Sequence, residues 1–515
     1  MRELEQLLGL FVTAVMLAGA ARRVGAPYPV FLALGGALLT FLPAAPSLTL
    51  PPELVLAVFV APVLLDAAFD ASIRDLKDNW TPVAGLVVVA VGFTTAAVAV
   101  VVHTLVPAMP WAPAIAVGAI VAPPDAVAAT AVLRPLRPPH RILTILEGES
   151  LLNDASALLI YRLAVGAVAA NGFSIAAVAP TFLLAVAGSA VAGPALGWLL
   201  LRVVDRVKHV PTLIILQFVS TCGVWILAEQ IGLSGVLTMV CYAATVARTA
   251  PERTPASARI PSYAVWETAV FALNILAFIF IGLQLRPILA NLPAAERGRY
   301  FTVAGAVLLT VIAVRPVWHM SFNAVVRWRH RRVGFHPPRP MLRPTLGSGL
   351  VISWAGMRGI VSLAAALALP SEFPYRDLIV LTAFSVVLGT LVIQGLTLKP
   401  LLRALDLHDG DPVGRELHSA RERALAAGLA SLADDESAVA FAVRQEFTAH
   451  LTHASADPDA DGQPRSTHSE LHRGALHAAR QAVHAMRASA EIGDDAFHQI
   501  EEELDWIEMA EREPD

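Results

Sequence analysis

Long apolar stretches recur through the first four-fifths of the chain, each closed by a short polar or basic interval. A transmembrane helix needs roughly 20 mainly apolar residues. On that measure the pattern predicts about thirteen spans, near residues 6–21, 27–44, 52–70, 81–106, 111–133, 143–169, 175–201, 211–229, 231–247, 264–285, 301–326, 346–369 and 378–402. Beyond about residue 405 the pattern changes. Residues 414–452 carry apolar positions such as Leu417, Leu425, Leu429, Leu432 and Phe447 at helical spacing in a polar run. Ser455 to Pro464 is rich in helix breakers. A second helical segment is predicted from about residue 469 to 513, interrupted near Gly493. The fold class expected is an all-α integral membrane protein of about 13 transmembrane helices over residues 1–405, with a soluble helical tail over 406–515.

Composition supports this division. Of the 515 residues 56% are hydrophobic and 16% charged, whereas a soluble domain carries about 25% charged residues. The two cysteines, Cys222 and Cys241, lie in apolar segments and offer neither a disulfide framework nor metal-binding spacing. Glu3 and Glu5 precede the first apolar run, and Arg22-Arg23 stand where a cleaved signal would carry small residues. The net charge of −4 hides an asymmetry. Residues 406–515 hold 24 acidic side chains against 9 arginines; residues 1–405 hold 18 against 29 Lys and Arg.

The loops orient the spans. Alternate intervals carry 19 basic residues, from Arg22 and Arg23 through Arg74, Arg134, Arg206 and Arg253 to the run of arginines after Arg327. The other intervals carry only Arg286, Arg297, Arg299 and Arg376. Basic loops stay cytoplasmic, so the N-terminus is expected outside and the acidic tail in the cytoplasm.

Two spans contain interruptions. In the fifth, Val121-Ala-Pro-Pro-Asp125 places adjacent prolines, which donate no N–H, beside a carboxylate. In the twelfth, Gly356-Met-Arg-Gly359 places two glycines around a fixed positive charge. Irregular backbone at membrane depth is tolerated where it lines a cavity or is buried in protein. Spans five and twelve are seven apart, which fits two six-helix inverted repeats, 1–6 and 8–13, with the seventh as linker. Paired interrupted helices at matching positions point to a transport site at the midplane.

The ionisable residues converge on the sixth span. Asn153-Asp154 sits in an apolar run that also carries Glu147 and Glu149. Ionisable side chains at membrane depth are costly and mark ion or proton pathways. A carboxylate kept from water holds its proton more tightly; one that takes either H⁺ or a small metal cation is a minimal exchange device. Small hard cations prefer oxygen ligands, and the candidates near Asp154 are the Ser150 hydroxyl at i−4 and carbonyls freed around Pro124. Asp66, deep in span three, is a further carboxylate; its alternative is a place near the cytoplasmic end, paired with Arg74 or solvated. A buried Arg358 needs a partner: Glu149 is the first expectation and Glu147 the second. Arg315 in span eleven is another arginine at membrane depth, with Glu267 as one partner for it. Arg162 lies two turns beyond Asp154.

Taken together, Gly148-Glu-Ser-Leu-Leu-Asn-Asp-Ala155, the broken span carrying Asp125, and Trp354-Ala-Gly-Met-Arg-Gly359 resemble the sodium/proton exchanger family of monovalent cation/proton antiporters, over roughly residues 5–405. The resemblance implies a homodimer in which a mobile core domain moves against a dimerisation domain in alternating access. It implies that Asp154 binds the exchanged Na⁺ or K⁺ and the proton, with Ser150, the backbone at Pro124, and Asp66 as ligands and Asp125 nearby. It implies a structural Glu149–Arg358 bridge. Asn153 preceding Asp154, in place of a second aspartate, goes with electroneutral one-for-one exchange. Two departures touch the cation shell. Pro124-Asp125-Ala126 replaces the family's Thr-Asp-Pro, and Asp66 replaces its glutamate. No resident cofactor is expected beyond the transported ions; the partners expected are cation, proton, membrane lipid and a second copy, with no nucleic acid, in the plasma membrane.

Nine of the fifteen histidines lie in the tail, including His468 and His472 one helical turn apart. Histidine titrates near neutrality, so the tail is a candidate pH sensor, against the plainer reading of solvated helices that aid folding or dimer contact. The competing functions are a symporter or cation channel on a related fold and a membrane sensor with the tail as output. The chain shows no nucleophile–base arrangement or metalloprotease spacing, which argues against an enzyme.

Overall fold

Each of the thirteen apolar stretches is helical, and no strand occurs among the described residues. The computed structural model describes residues 2–42, 51–169, 175–334, 345–407, 409–455, 463–489, 500, 503–504 and 506. The helices are α1 (Arg2–Val24), α2 (Tyr28–Leu39), α3 (52–70), α4 (Trp80–Leu105), the half-helices α5a (Trp111–Val121) and α5b (Ala126–Leu133), α6 (His140–Ala169), α7 (Ile175–Val204), α8 (Val210–Gln230), α9 (Gly235–Arg253) and α10 (Ala256–Leu283). They continue with α11 (Arg297–Val333), the half-helices α12a (Leu346–Trp354) and α12b (Ile360–Leu367), and α13 (Arg376–Leu405). By length and composition, eight helices among the described residues are able to cross a membrane, and Tyr28–Leu39, Leu56–Phe69 and Gly235–Ala250 are shorter apolar helices. Two short helices that apolar spacing does not reveal, Ile73–Asp78 and Leu285–Asn291, lie in the connections.

Local chemistry explains the irregularities. A π-helical turn, Leu56–Val60, precedes Pro62 in α3. The proline ring would clash with the carbonyl four residues earlier, and the wider turn relieves it. Helices α2 and α10 cross through small residues. A Cβ on Gly36 would lie 2.3 Å from the Ile279 carbonyl oxygen, and one on Gly282 would lie 2.1 Å from that of Ala33. Such crossings gain van der Waals contact where apolar burial gains little.

The apolar packing forms one large core with side chains from α1, α2, α4, α5, α6 and α10 to α13, and a second from α3, α6, α8 and α9. Helix α6 feeds both: Ile145 and Leu146 pack in the first, Leu151 and Ala155 in the second. The Glu149–Asp154 turns therefore lie where the two cores meet.

The chain divides into two units, Met1–Asp409 and Gly410–Asp515. In the second, the predicted helix over 414–452 is two helices, α14 (Pro412–Ser431) and α15 (Ala438–Ser455). The break falls at Asp434-Asp-Glu-Ser437, where the Asp435 carboxylate accepts a hydrogen bond from the Ser437 N–H at 2.9 Å. Short polar side chains that bond nearby backbone compete with helix. Helix α16 spans Gln463–Ala488. The breaker-rich linker (residues 456–462), the interruption near Gly493 and the side chains of His468 and His472 lie outside the described residues.

Candidate ion site

The two interrupted helices meet at their breaks. Helix α5a ends at Val121 because Pro123 and Pro124 offer no N–H to continue it. Helix α5b restarts with Asp125 as its N-cap, whose Oδ1 accepts the Val127 N–H at 2.9 Å. The Asp125 N–H donates to the Met357 carbonyl, in the α12 break, at 2.7 Å. From that same break Arg358 reaches back. Its Nε donates to the Val121 carbonyl at 2.9 Å and its Nη2 to that of Ala122 at 3.0 Å; Nη1 bonds the Gly356 carbonyl. A helix terminus leaves its last carbonyls unpaired and partly negative. Arg358 answers both needs at the end of α5a, while the Asp125 carboxylate serves the positive start of α5b. The backbone N–H of Arg358 is held by Thr390 Oγ1 of α13 at 3.0 Å. Gly359 is the residue that permits this approach, since a Cβ there would lie 1.9 Å from Asp125 Oδ2.

The expected Glu149–Arg358 ion pair is corrected by these contacts. Glu149 is bound by Arg315 of α11 in a two-pronged bridge, Nη1 to Oε1 at 2.6 Å and Nη2 to Oε2 at 2.5 Å. Arg315 also donates from Nε and Nη2 to the Ile352 carbonyl, both at 3.3 Å. Arg358 is claimed by the carbonyls of the broken helix, and Arg315 presents the planar fork that matches a carboxylate. Glu267, the other partner weighed for Arg315, lies elsewhere, on the wall of a cavity. Glu147 pairs with Arg134 at 3.1 Å. Arg162 pairs with Glu229 at the end of α8, at 2.5 Å.

That cavity, about 660 Å³, brings together Asp66, Asp125, Ser150 and Asp154. The remaining two predicted site residues stand behind it. Asn153 is buried, and its Nδ2 donates to the Pro124 carbonyl at 2.9 Å, so one lone pair of that oxygen is already used. The bond ties α6 to the α5 break. Asn153 Oδ1 is buried with no hydrogen-bond partner. Arg74 meets Asp75 at 3.5 Å. The cavity wall also holds Arg22, read from the sequence only as an orienting basic residue, and Tyr28, Thr130, Phe271 and Asn274, which the sequence reading did not single out. Asn274 and Thr130 carry a usable signal, a polar side chain inside an apolar span. A second cavity, about 450 Å³, shares Asp66, Arg134 and Glu267 with the first.

At the start of α6, outside the apolar part, His140 Nε2 lies 3.2 Å from Asp75 Oδ2, and the His140 N–H donates to Asp409 at 2.6 Å. Burial opposes ionisation of Asp75, but hydrogen bonds from His140 and Ser72 and the nearby Arg74 charge outweigh it. They hold the carboxyl below the usual carboxylate range.

The model of the transmembrane part of sodium/hydrogen exchangers matches residues 10–404. An uncharacterised Na⁺/H⁺ exchanger of Mycobacterium tuberculosis is 29% identical over 527 aligned residues, covering 96% of this chain and 93% of the relative. The sodium, potassium, lithium and rubidium/H⁺ antiporter of Bacillus subtilis is 30% identical over 399 residues, 73% of this chain and 58% of that protein. In fold, the chain is similar to the sodium proton antiporter MjNhaP1 from Methanocaldococcus jannaschii, with a TM-score of 0.60 at 17% identity over 79% of this chain and 99% of that one.

Proposed function

Because the chain belongs to the sodium/hydrogen exchanger family, whose members are membrane transporters and not enzymes, we propose that it exchanges Na⁺ or K⁺ for H⁺ across the plasma membrane, with Asp154 as the group both ions use. The cavity carries this reading: it reaches Asp154 and gathers Asp66, Asp125 and Ser150 around one space. These are oxygen donors of the kind a small hard cation needs. In this scheme Asp154 takes either the cation or the proton. Asn153 carries no charge, so a single carboxylate of the pair cycles and the exchange is one-for-one and electroneutral. Potassium stays beside sodium in the proposal because the Bacillus subtilis relative is named for four alkali cations.

Thirteen crossings in two inverted six-helix repeats, a homodimer, an external N-terminus and a cytoplasmic tail after residue 405 complete the proposal. Arg22, Arg134 and Pro135 line the cavity and belong to the basic intervals. By the positive-inside rule its mouth then faces the cytoplasm, and alternating access carries Asp154 to the other side. The test is Na⁺- and K⁺-driven proton flux in proteoliposomes containing a pH dye. Wild type is expected to respond to at least one cation and Asp154→Asn to neither. Wild-type silence with both cations from pH 6 to 9 would sink exchange; flux retained in the variant would move the ion site toward Asp125.

A further inference from the structure

Part of the wall of the ion cavity is aromatic and carries a fixed charge. Phe271 and Phe278 of α10 pack edge-on to Tyr28 at the start of α2, with ring centroids 5.8 and 6.2 Å apart. Arg22, in the last turn of α1, lies over the Phe271 ring with its guanidinium carbon 5.3 Å from the centroid. All four side chains line the cavity that holds Asp154. The two arginines on its wall differ. Arg134 is neutralised by Glu147 at 3.1 Å. Arg22 meets an aromatic face and, among the described residues, no carboxylate within ion-pair distance. The plain role of a basic residue at a helix C-terminus is to complement the helix dipole, and Arg23 in the same turn satisfies it equally without lining the cavity.

We infer that Arg22 sets the apparent affinity for the alkali cation from the cytoplasmic side: its uncompensated charge, seated on Phe271 at the cavity wall, opposes cation entry and keeps the site from saturating. This inference rests on the exchange reading above. Arg22 is exposed where it lines the cavity, and a charge there still acts on the cleft because the low-dielectric walls focus its field. An interaction of this type changes cation binding by about threefold to tenfold. The aromatic seat holds the charge toward the cavity without neutralising it. Sodium and potassium carry the same charge, so both affinities move together; Arg22 sets affinity and not the choice between them.

The test is the half-saturating Na⁺ and K⁺ concentration on the tail side of proteoliposomes at fixed pH, for wild type, Arg22→Gln, Arg22→Lys and Arg23→Gln. Arg22→Gln is expected to lower half-saturation about threefold to tenfold for both cations. Arg22→Lys is expected to stay near wild type. Arg23→Gln, which removes the same net charge one residue along, is expected to change it by less than about twofold, since Arg23 does not line the cavity and solvent screens its charge from the site. Adding an impermeant, non-transported salt is expected to narrow the gap between wild type and Arg22→Gln. Unchanged half-saturation in Arg22→Gln, or equal shifts in Arg22→Gln and Arg23→Gln, overturns the inference and leaves exchange standing. Absence of cation-driven flux in wild type overturns the exchange reading and this inference with it.

Discussion

Two carboxylates five residues apart on α6 have opposite surroundings. Glu149 is 1% exposed and gripped by Arg315 through two short hydrogen bonds. Asp154 is 8% exposed, faces a cavity, and shares it with Asp66 and Asp125. Burial is nearly equal; the partner differs. A carboxylate whose lone pairs are held by a guanidinium has no place for a proton or a small cation. One beside other oxygens in an accessible space does. Charge at membrane depth is therefore of two kinds here, and the neighbour across the helix interface decides which.

The largest effect that sharpens this contrast is on transport. Asp154→Asn is expected to lose exchange while its melting temperature stays at or above that of wild type, because the neutral amide removes repulsion from the carboxylates around it. A melt well below wild type would put Asp154 in the same structural class as Glu149. Next in size, Arg315→Met leaves Glu149 buried without its partner and is expected to cost about 3–5 kcal/mol. The double variant Glu149→Met with Arg315→Met is expected to recover most of that loss, since apolar replacements of a buried pair are often neutral. Equal stability of the single and double variants would break the comparison. A smaller effect is expected at the crossed breaks. Gly359→Ala pushes a methyl group into Asp125 and is expected to destabilise by about 1–3 kcal/mol, with flux reduced more than protein yield. Smallest is Asp75→Asn. The folded-state carboxyl lies below its usual range, so its contribution is present above the unfolded pKa and lost as pH falls through the folded one. Wild type is expected to lose about 0.5 kcal/mol from this source on acidification below about pH 4, measurable as a melting shift absent from the variant.

Much of the architecture is legible along the chain because lipid tolerates few solutions. Apolar length marks the helices, and their interruptions announce themselves chemically. Pro123-Pro124 cannot supply donors, and Gly356 and Gly359 surround an arginine that no isolated helix would bury. The tail is less legible. Leu432 and Val439 keep an apolar rhythm across Asp434-Asp-Glu-Ser437, where local hydrogen bonding ends the helix. Periodicity reports which faces are apolar, not where a polar side chain recaptures the backbone.

The sequence by itself determined that this chain is a membrane protein, that spans five and twelve are broken, and that Asn153-Asp154 is the densest chemistry at depth. These follow from the local cost of placing each residue type in an apolar setting. Which arginine serves which acceptor was decided by tertiary structure alone. Arg315 and Arg358 both stand in apolar stretches of the chain, and both need partners. The carbonyls at the end of α5a take Arg358, leaving the fork of Arg315 for Glu149. Arg22 is likewise an ordinary basic residue at a helix end until α10 brings Phe271 beneath it and the cavity beside it. Ion pairing falls off within a few ångströms, whereas its partners here lie 166 residues apart; composition and spacing hold no measure of that distance until the helices pack.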